Sequence, residues 1–208
     1  NLIIGRSGAG KTVLLKILVG LYGPTSGIVW YDDVNFTSLD KKKVRDIRMS
    51  VGMLFQGTAL FDSMTVEENI RFPMDMFTNK TQKEKLDRVN YCLERVNLTG
   101  VNQKYPSQLS GGMQKRAGIA RAIVLEPTYL FCDEPNSGLD PKTSLVIDEL
   151  IHDITQENNI TTIINTHDMN SVMEIGDNIA LLHDGYLAWE GNKEEVLTSN
   201  NEILQDFV

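Results

Sequence analysis

One eight-residue segment, Gly5-Arg6-Ser7-Gly8-Ala9-Gly10-Lys11-Thr12, restricts what this chain can fold into more than any other. It satisfies the pattern G-x-x-x-x-G-K-[ST] and stands where that pattern works, after a short apolar run, Leu2-Ile3-Ile4, and before an amphipathic helical stretch. Glycines let the backbone curl so that successive N–H groups point inward. The result is a concave anion nest at a helix N-terminus, where the helix dipole adds partial positive charge. In such a loop Gly5, Ser7, Gly8, Ala9 and Gly10 line the nest, Lys11 reaches the terminal phosphates of a nucleotide, and the Thr12 hydroxyl can ligate Mg²⁺. The plain alternative is a Gly-rich turn beside a solvated lysine. The flanking strand and helix favour the nest.

Composition narrows the setting. The chain has 208 residues, 41% of them hydrophobic and 23% charged, so it has material for a core and is neither disordered nor coiled-coil in character. Its formal charge of −8, from 20 basic and 28 acidic residues, gives no general pull toward polyanions, and no nucleic-acid partner is expected. Cys92 and Cys132 lie far apart without metal-ligand spacing, which suggests neither a disulfide framework nor a zinc site and suits a reducing compartment. No run approaches the roughly 20 apolar residues of a membrane span. Asn1 opens directly on an apolar run with no basic leader, which does not look like a targeting peptide and reads as a trimmed or partial chain.

Apolar runs alternate with helical patterns, predicting an α/β fold with a mostly parallel core sheet and crossover helices. The best strands are Leu2 to Ile4, Tyr129 to Cys132, Thr161 to Asn165 and Asn178 to Leu182; Asp184-Gly185 then supplies a hairpin turn into an antiparallel strand, Tyr186 to Glu190. Between about Leu60 and Leu125 the character is helical. Leu86, Val89, Leu93 and Val96 form one apolar stripe, and a further helix runs from about Met113 to Leu125, stopped by Glu126-Pro127.

Tyr129-Leu130-Phe131-Cys132-Asp133-Glu134 is an apolar strand ending in two acids. Beside a phosphate loop, Asp133 would hold Mg²⁺ through its hydration shell and Glu134 would polarise an attacking water; alone, the pair is also what any strand end dipping into solvent looks like. Leu109-Ser110-Gly111-Gly112-Met113 opens the helix leading back to that strand. Ser110, Gly111 and Gly112 make a second small-residue helix N-terminus, hence a second candidate phosphate cradle, though Ser110 alone also reads as a plain N-cap. One nucleotide rarely needs two cradles. A head-to-tail dimer in which each chain's Gly111-Gly112 helix covers the phosphate held by the partner's Lys11 uses both.

With these residues in order, nearly the whole chain resembles the ATP-binding-cassette (ABC) ATPases. The set comprises Gly5 to Thr12 (Walker A), Gln56 after Val51-Gly52-Met53-Leu54-Phe55 (Q-loop), Leu109 to Met113 (signature), Tyr129 to Glu134 (Walker B), Ser137-Gly138-Leu139-Asp140 (D-loop) and His167 after Thr162 to Thr166 (H-loop). The resemblance implies a P-loop NTPase fold with a RecA-like core at 1–56 and 126–208 and an inserted helical subdomain at 57–125, in a single ABC domain over 1–208. It implies ATP and Mg²⁺ as ligands and Glu134 as general base. It also implies that Gln56 senses Mg²⁺ and the lytic water, that His167 holds the γ-phosphate, and that Asp140 organises a homodimer interface. From residue type alone, Gln56 is as well a solvated loop residue and His167 a packing residue. Two positions depart from the family pattern, Met113 where Gln is commoner and Asn136 where Thr is usual. The family's antiparallel strands and adenine-stacking aromatic precede the Walker A strand, so the resemblance places them ahead of Asn1.

The segment between the two Walker motifs is too short for the coiled coils of chromosome-maintenance relatives, and a single cassette disfavours the translation-factor branch. The resemblance therefore implies a transporter subunit engaging a separate integral-membrane permease beside Gln56, peripheral to the cytoplasmic face of the inner membrane. Leu60-Phe61-Asp62-Ser63 and Phe72-Pro73 look like cassettes of MCE-type lipid-trafficking systems, in which an MCE-type substrate-binding protein is a further partner. The bland reading of Leu60, Phe61, Met64 and Phe72 is packing within the helical block. The alternatives are an importer of amino acids or another small polar solute and, from a different class, a soluble ATPase of nucleic-acid maintenance.

Overall fold

The computed structural model describes residues 1–208 as an α/β fold built on a six-stranded sheet. The chain runs β1 (Leu2–Ile4), α1 (Lys11–Leu18), β2 (Trp30–Tyr31), β3 (Val34–Asn35), α2 (Lys41–Met49), β4 (Val51–Leu54), α3 (Val66–Phe77), α4 (Gln82–Arg95) and α5 (Gly111–Ile123). It continues with β5 (Tyr129–Asp133), α6 (Pro141–Glu157), β6 (Thr161–Thr166), α7 (Met169–Ile175), β7 (Ile179–His183), β8 (Tyr186–Gly191), α8 (Lys193–Val196) and α9 (Glu202–Phe207).

The sheet order is β4-β5-β6-β1-β7-β8, parallel throughout except for the final hairpin. Parallel strands buried on both faces need near-continuous apolar sequence, and β1 and β5 supply it. The hairpin follows from Asp184 and Gly185, whose φ values of 48° and 81° are both left-handed, as a tight two-residue turn requires. β2 and β3 form a separate two-residue antiparallel ladder that carries no sequence signal of its own.

Side chains alternate across the sheet, so Leu130 and Cys132 face one layer and Phe131 the other. On Phe131's side, Leu15 and Val19 of α1 pack with Tyr31 and Phe36. On the opposite side one continuous core of 32 buried side chains runs from Leu2 and Ile4 through α6 to Val66, Ile70 and Met74 of α3, which couples the helical block mechanically to the sheet. The helices begin where their caps dictate. Thr65 with Glu68, and Thr81 with Glu84, form reciprocal capping boxes at α3 and α4.

Of the apolar stripe expected on α4, Val89, Leu93 and Val96 are buried and Leu86 is not. Leu86 is exposed, whereas Lys85, Val89, Cys92 and Leu93 are buried, because the Lys85 stem lies along apolar surface and its ammonium reaches Asp75 on α3 at 2.8 Å. The helix expected from Met113 starts two residues earlier, at Gly111, with Ser110 as N-cap.

Gly52 lets α5 press onto β4: a Cβ there would lie 2.4 Å from the Ala122 carbonyl oxygen and 3.1 Å from Pro127. Gly52→Ala is therefore expected to destabilise the fold by about 1–3 kcal/mol through overpacking. Urea titration measures this; an unchanged midpoint means the helix and strand are not in that contact.

Candidate functional site

Sheet order alone gathers the candidate residues. Gln56 follows β4, Glu134 follows β5, His167 follows β6 and Gly5 follows β1, and these four parallel strands are adjacent in that order. Their carboxyl ends share one edge, the usual ligand edge of an open α/β sheet. A cavity of ≈ 360 Å³ there is lined by the Ser7–Val13 loop with Gln56, Glu134 and His167.

The loop's shape depends on two glycines. Gly5, at φ +149°, passes so close to β7 that a Cβ would stand 2.3 Å from the Leu182 carbonyl oxygen, and Gly10 adopts φ +103° as N-cap of α1. Lys11, 6% exposed, donates to the Gly5 carbonyl at 2.7 Å and pairs with Glu134 Oε1 at 3.2 Å. The other oxygen, Oε2, lies 2.7 Å from His167 Nδ1. An ionised carboxylate only accepts, so Nδ1 carries the proton and donates. Glu134 itself sits at φ +49°, uncommon for a residue with a side chain, with its N–H donating to the Asn165 carbonyl at 3.0 Å.

Beside this pair, the Thr12 hydroxyl donates to Asp133 Oδ1 at 3.0 Å, and Asn165 Nδ2 donates to the same oxygen at 3.1 Å. Asn165 Oδ1 is buried without a partner. Adjacent hydroxyl and carboxylate oxygens suit Mg²⁺, which keeps most of its coordination for water and phosphate oxygens and needs only one or two protein ligands. No group of three or more His, Cys, Asp or Glu is placed to hold a metal, so a site built wholly from such side chains is not what this edge offers. Gln56 lines the same cavity with its side chain exposed.

Ser110, Gly111 and Gly112 do not join this cavity within one chain. Ser110 Oγ accepts from the Met113 N–H at 3.3 Å as the cap of α5, and a Cβ on Gly112 would fall 2.7 Å from Thr143 Cγ2. Asp140 likewise caps α6, accepting from the Thr143 N–H at 3.1 Å and the Thr143 hydroxyl at 2.5 Å. The hydroxyl first and the backbone N–H second hold its carboxyl below the usual range.

Two residues of this edge escape motif reading. Asn165 is a polar residue inside β6 that orients Asp133. Lys115, 5% exposed, donates to the Gln56 carbonyl at 2.6 Å and the Glu134 carbonyl at 3.3 Å, and burial pushes its ammonium below the ordinary lysine value. Its one sequence signal is position: it lies four residues before Ile119 and seven before Ala122 on a buried helix face.

Residues 1–137 match the family described as ABC transporter. The chain belongs to the ABC transporter ATP-binding family. It is 39% identical over its whole length to the probable ribonucleotide transport ATP-binding protein mkl of Mycobacterium leprae, covering 60% of that protein. It is 43% identical over 99% of its length to the methionine import ATP-binding protein MetN of Carboxydothermus hydrogenoformans, covering 61%. The chain thus spans about three fifths of the length of these curated relatives. Among solved structures it superposes with a TM-score of 0.84, at 33% identity and covering 92% of this chain and 84% of the other, on a dimeric ATP-binding cassette in a post-hydrolysis state bound to ADP and Pi. As in other ABC cassettes, the fold here is that of a P-loop NTPase.

The Asp140 cap gives a test with a defined sign. Because its folded-state pKa is depressed, its stabilisation is complete above the unfolded value of about 3.9 and is lost as pH falls through the folded value. Asp140→Ala is expected to melt a few degrees below wild type at neutral pH, with the gap closing near pH 2. Asp140→Asn, which still accepts, should stay close to wild type at neutral pH. A gap of equal size at both pH values would show that the carboxylate is not the cap.

Proposed function

We propose that this chain is the ATP-hydrolysing motor of an ABC transporter, acting as a homodimer that closes on two MgATP and drives a separate membrane permease. The observation that carries this reading is the Glu134 carboxylate, buried beneath the phosphate loop with one oxygen on Lys11 and the other on His167. In the proposed cycle the N–H groups of the Ser7–Thr12 loop take the phosphates and Lys11 turns from Glu134 to the terminal phosphoryl oxygens. Glu134 Oε1 is thereby freed to accept a proton from water, while His167 keeps the carboxylate oriented and presents its exposed ring to the γ-phosphate. Thr12 and Asp133, with Gln56 at the rim, are the residues that would hold Mg²⁺. When bound, that ion neutralises charge developing on the transferred phosphoryl group.

Ser110, Gly111 and Gly112 act in trans in this reading. The two cradles of one chain do not meet, and a two-fold head-to-tail pair brings each onto its partner's nucleotide, with Asp140 near the junction. Similarity to a dimeric cassette bound to ADP and Pi supports the arrangement. Residues 57–125 then move as a helical subdomain against a core of 1–56 and 126–208.

No helix is long and apolar enough to cross a membrane, so the transport path in this reading belongs to another chain. A groove of ≈ 390 Å³ beside Gln56, lined by Phe55, Phe61, Phe72, Pro73, Phe77 and Leu125 among others, suits an apolar segment of that permease, at the cytoplasmic membrane face. Phe61 and Phe72 pack edge to face at 5.0 Å on its wall. Phe61, Phe72 and Pro73 of the stretch that resembles MCE-type cassettes line this groove, and on that resemblance we assign lipid transport with an MCE-type substrate-binding protein as a further partner. The second reading is a small-solute importer, favoured by relatives named for ribonucleotide transport and methionine import.

Glu134→Gln is expected to form a dimer stable in MgATP while losing turnover by about a hundredfold or more, and Lys11→Ala to weaken nucleotide affinity by at least about tenfold. A Glu134→Gln chain that stays monomeric at saturating MgATP, by light scattering, would sink the paired mechanism. For the substrate, the permease co-purified from membranes carries phospholipid if the lipid reading holds. A permease that binds only a polar solute would transfer the assignment to the second reading.

A further inference from the structure

We infer that Lys115 is a positioning residue that ties the signature helix α5 to the catalytic edge, fixing the backbone of Glu134 and the loop after β4 through their carbonyl groups. Its ammonium is buried and forms no ion pair with a carboxylate; its two hydrogen bonds go to the carbonyls of Gln56 and Glu134. An unpaired buried cation is costly, and an apolar side chain of similar volume would pack there without that cost. A net gain in stability over an apolar residue therefore does not account for it, since its hydrogen bonds at most offset the cost of burying its charge. The two carbonyls do, because both belong to segments that need holding.

Glu134 is left-handed at φ +49°, and its carbonyl otherwise accepts only from the Ser137 N–H at 3.2 Å. Beyond Gln56, Thr58 and Ala59 are also left-handed, at φ 62° and 49°. Arg121, about 1.7 turns further along α5, donates to the Thr58 and Ala59 carbonyls at 2.6 and 2.7 Å. Side chains of α5 that diverge by about 120° around its axis thus grip the Gln56 loop at two points and the Glu134 backbone at one. Strained backbone persists only where its surroundings over-determine it. Lys115 also lies five residues from the Ser110 cap, less than about two turns into a rigid helix. A phosphate settling on the Gly111–Gly112 N–H groups therefore bears on the Lys115 stem, and through it on how firmly the carbonyls of Glu134 and Gln56 are held. This last step rests on the proposed pairing in trans; the tie itself lies within one chain.

The test uses the full-length protein. Lys115→Met keeps the apolar stem and removes the donors; kcat for MgATP is expected to fall at least about tenfold, with KM and nucleotide affinity within about threefold and the melting temperature not lowered. Lys115→Gln, with a shorter side chain that still donates, should recover part of the loss. Combined with Ser110→Ala, which removes the cap of α5, Lys115→Met should be non-additive, the double variant turning over about as slowly as the slower single one. A Lys115→Met kcat within about twofold of wild type overturns the inference, as does a loss matched by falling nucleotide affinity or melting temperature. Additivity overturns the link to the helix N-terminus. Should Lys115→Met not fold, Lys115→Gln decides: turnover within about twofold of wild type overturns the proposal, and a threefold or greater loss at unchanged KM and melting temperature supports it. These turnover measurements keep Glu134 intact. A Glu134→Gln chain that fails to dimerise while Lys115→Met still shows its kcat loss would reject the paired mechanism and leave the tie standing.

Discussion

A carboxylate taken out of water has to be compensated, and the functional edge of this protein is arranged around that requirement at Glu134. Its side chain is 9% exposed, and each oxygen has a partner on a different strand connection, Lys11 after β1 and His167 after β6. Those partners reach it only because β5, β6 and β1 are neighbours in matched register, with Asp133 opposite Asn165 and Ile4 opposite Thr166. A slip of one residue in either pairing would turn the opposing side chains to the other face. The sheet's register is thus a condition of the site's electrostatics as well as of core packing.

The same edge holds the strained backbone. Glu134, Thr58 and Ala59 are left-handed residues with side chains, and Gly5 passes a β7 carbonyl where no Cβ fits. Each such conformation costs free energy that surrounding contacts must supply. Here the contacts come from Lys115 and Arg121 on α5, the Asn165 carbonyl, and the Ser137 turn. α5 is pressed onto β4 at Gly52, so the grip on the loop inherits the rigidity of a helix–sheet contact.

Much of this was legible in the sequence, for local reasons. The phosphate loop announces itself through glycine spacing, β5 through an apolar run ending in acids, and the β7–β8 hairpin through Asp184-Gly185. What stayed hidden depends on contacts between distant segments. Residue type and periodicity put Leu86 in the core of α4, but Lys85 takes that face because Asp75, on another helix, receives its ammonium. The two-residue strands β2 and β3 are too short to carry a period. Asn165 looks like any polar residue in a strand until Asp133 is beside it, and Lys115 looks like a surface lysine until Gln56 and Glu134 converge on its tip. The net charge of −8 speaks only to the field of the whole chain, whereas the phosphate recognition proposed here rests on one loop of N–H groups and one ammonium.

The Lys11–Glu134 pair also bears on how such a site turns over. Two charges in a poorly solvated pocket attract strongly, yet desolvation offsets most of that attraction, so a buried pair is close to break-even. In the proposed cycle Lys11 can therefore exchange a carboxylate for a phosphate at little net cost, provided Glu134 is not left without a partner. His167 meets that condition on Oε2, and the buried Lys115 ammonium, at the Glu134 carbonyl, adds positive potential from behind. In the proposed cycle the exchange converts Glu134 from a structural counter-ion into an acceptor beside the phosphate. A base that is already in place loses little free energy to reorganisation when the reaction begins.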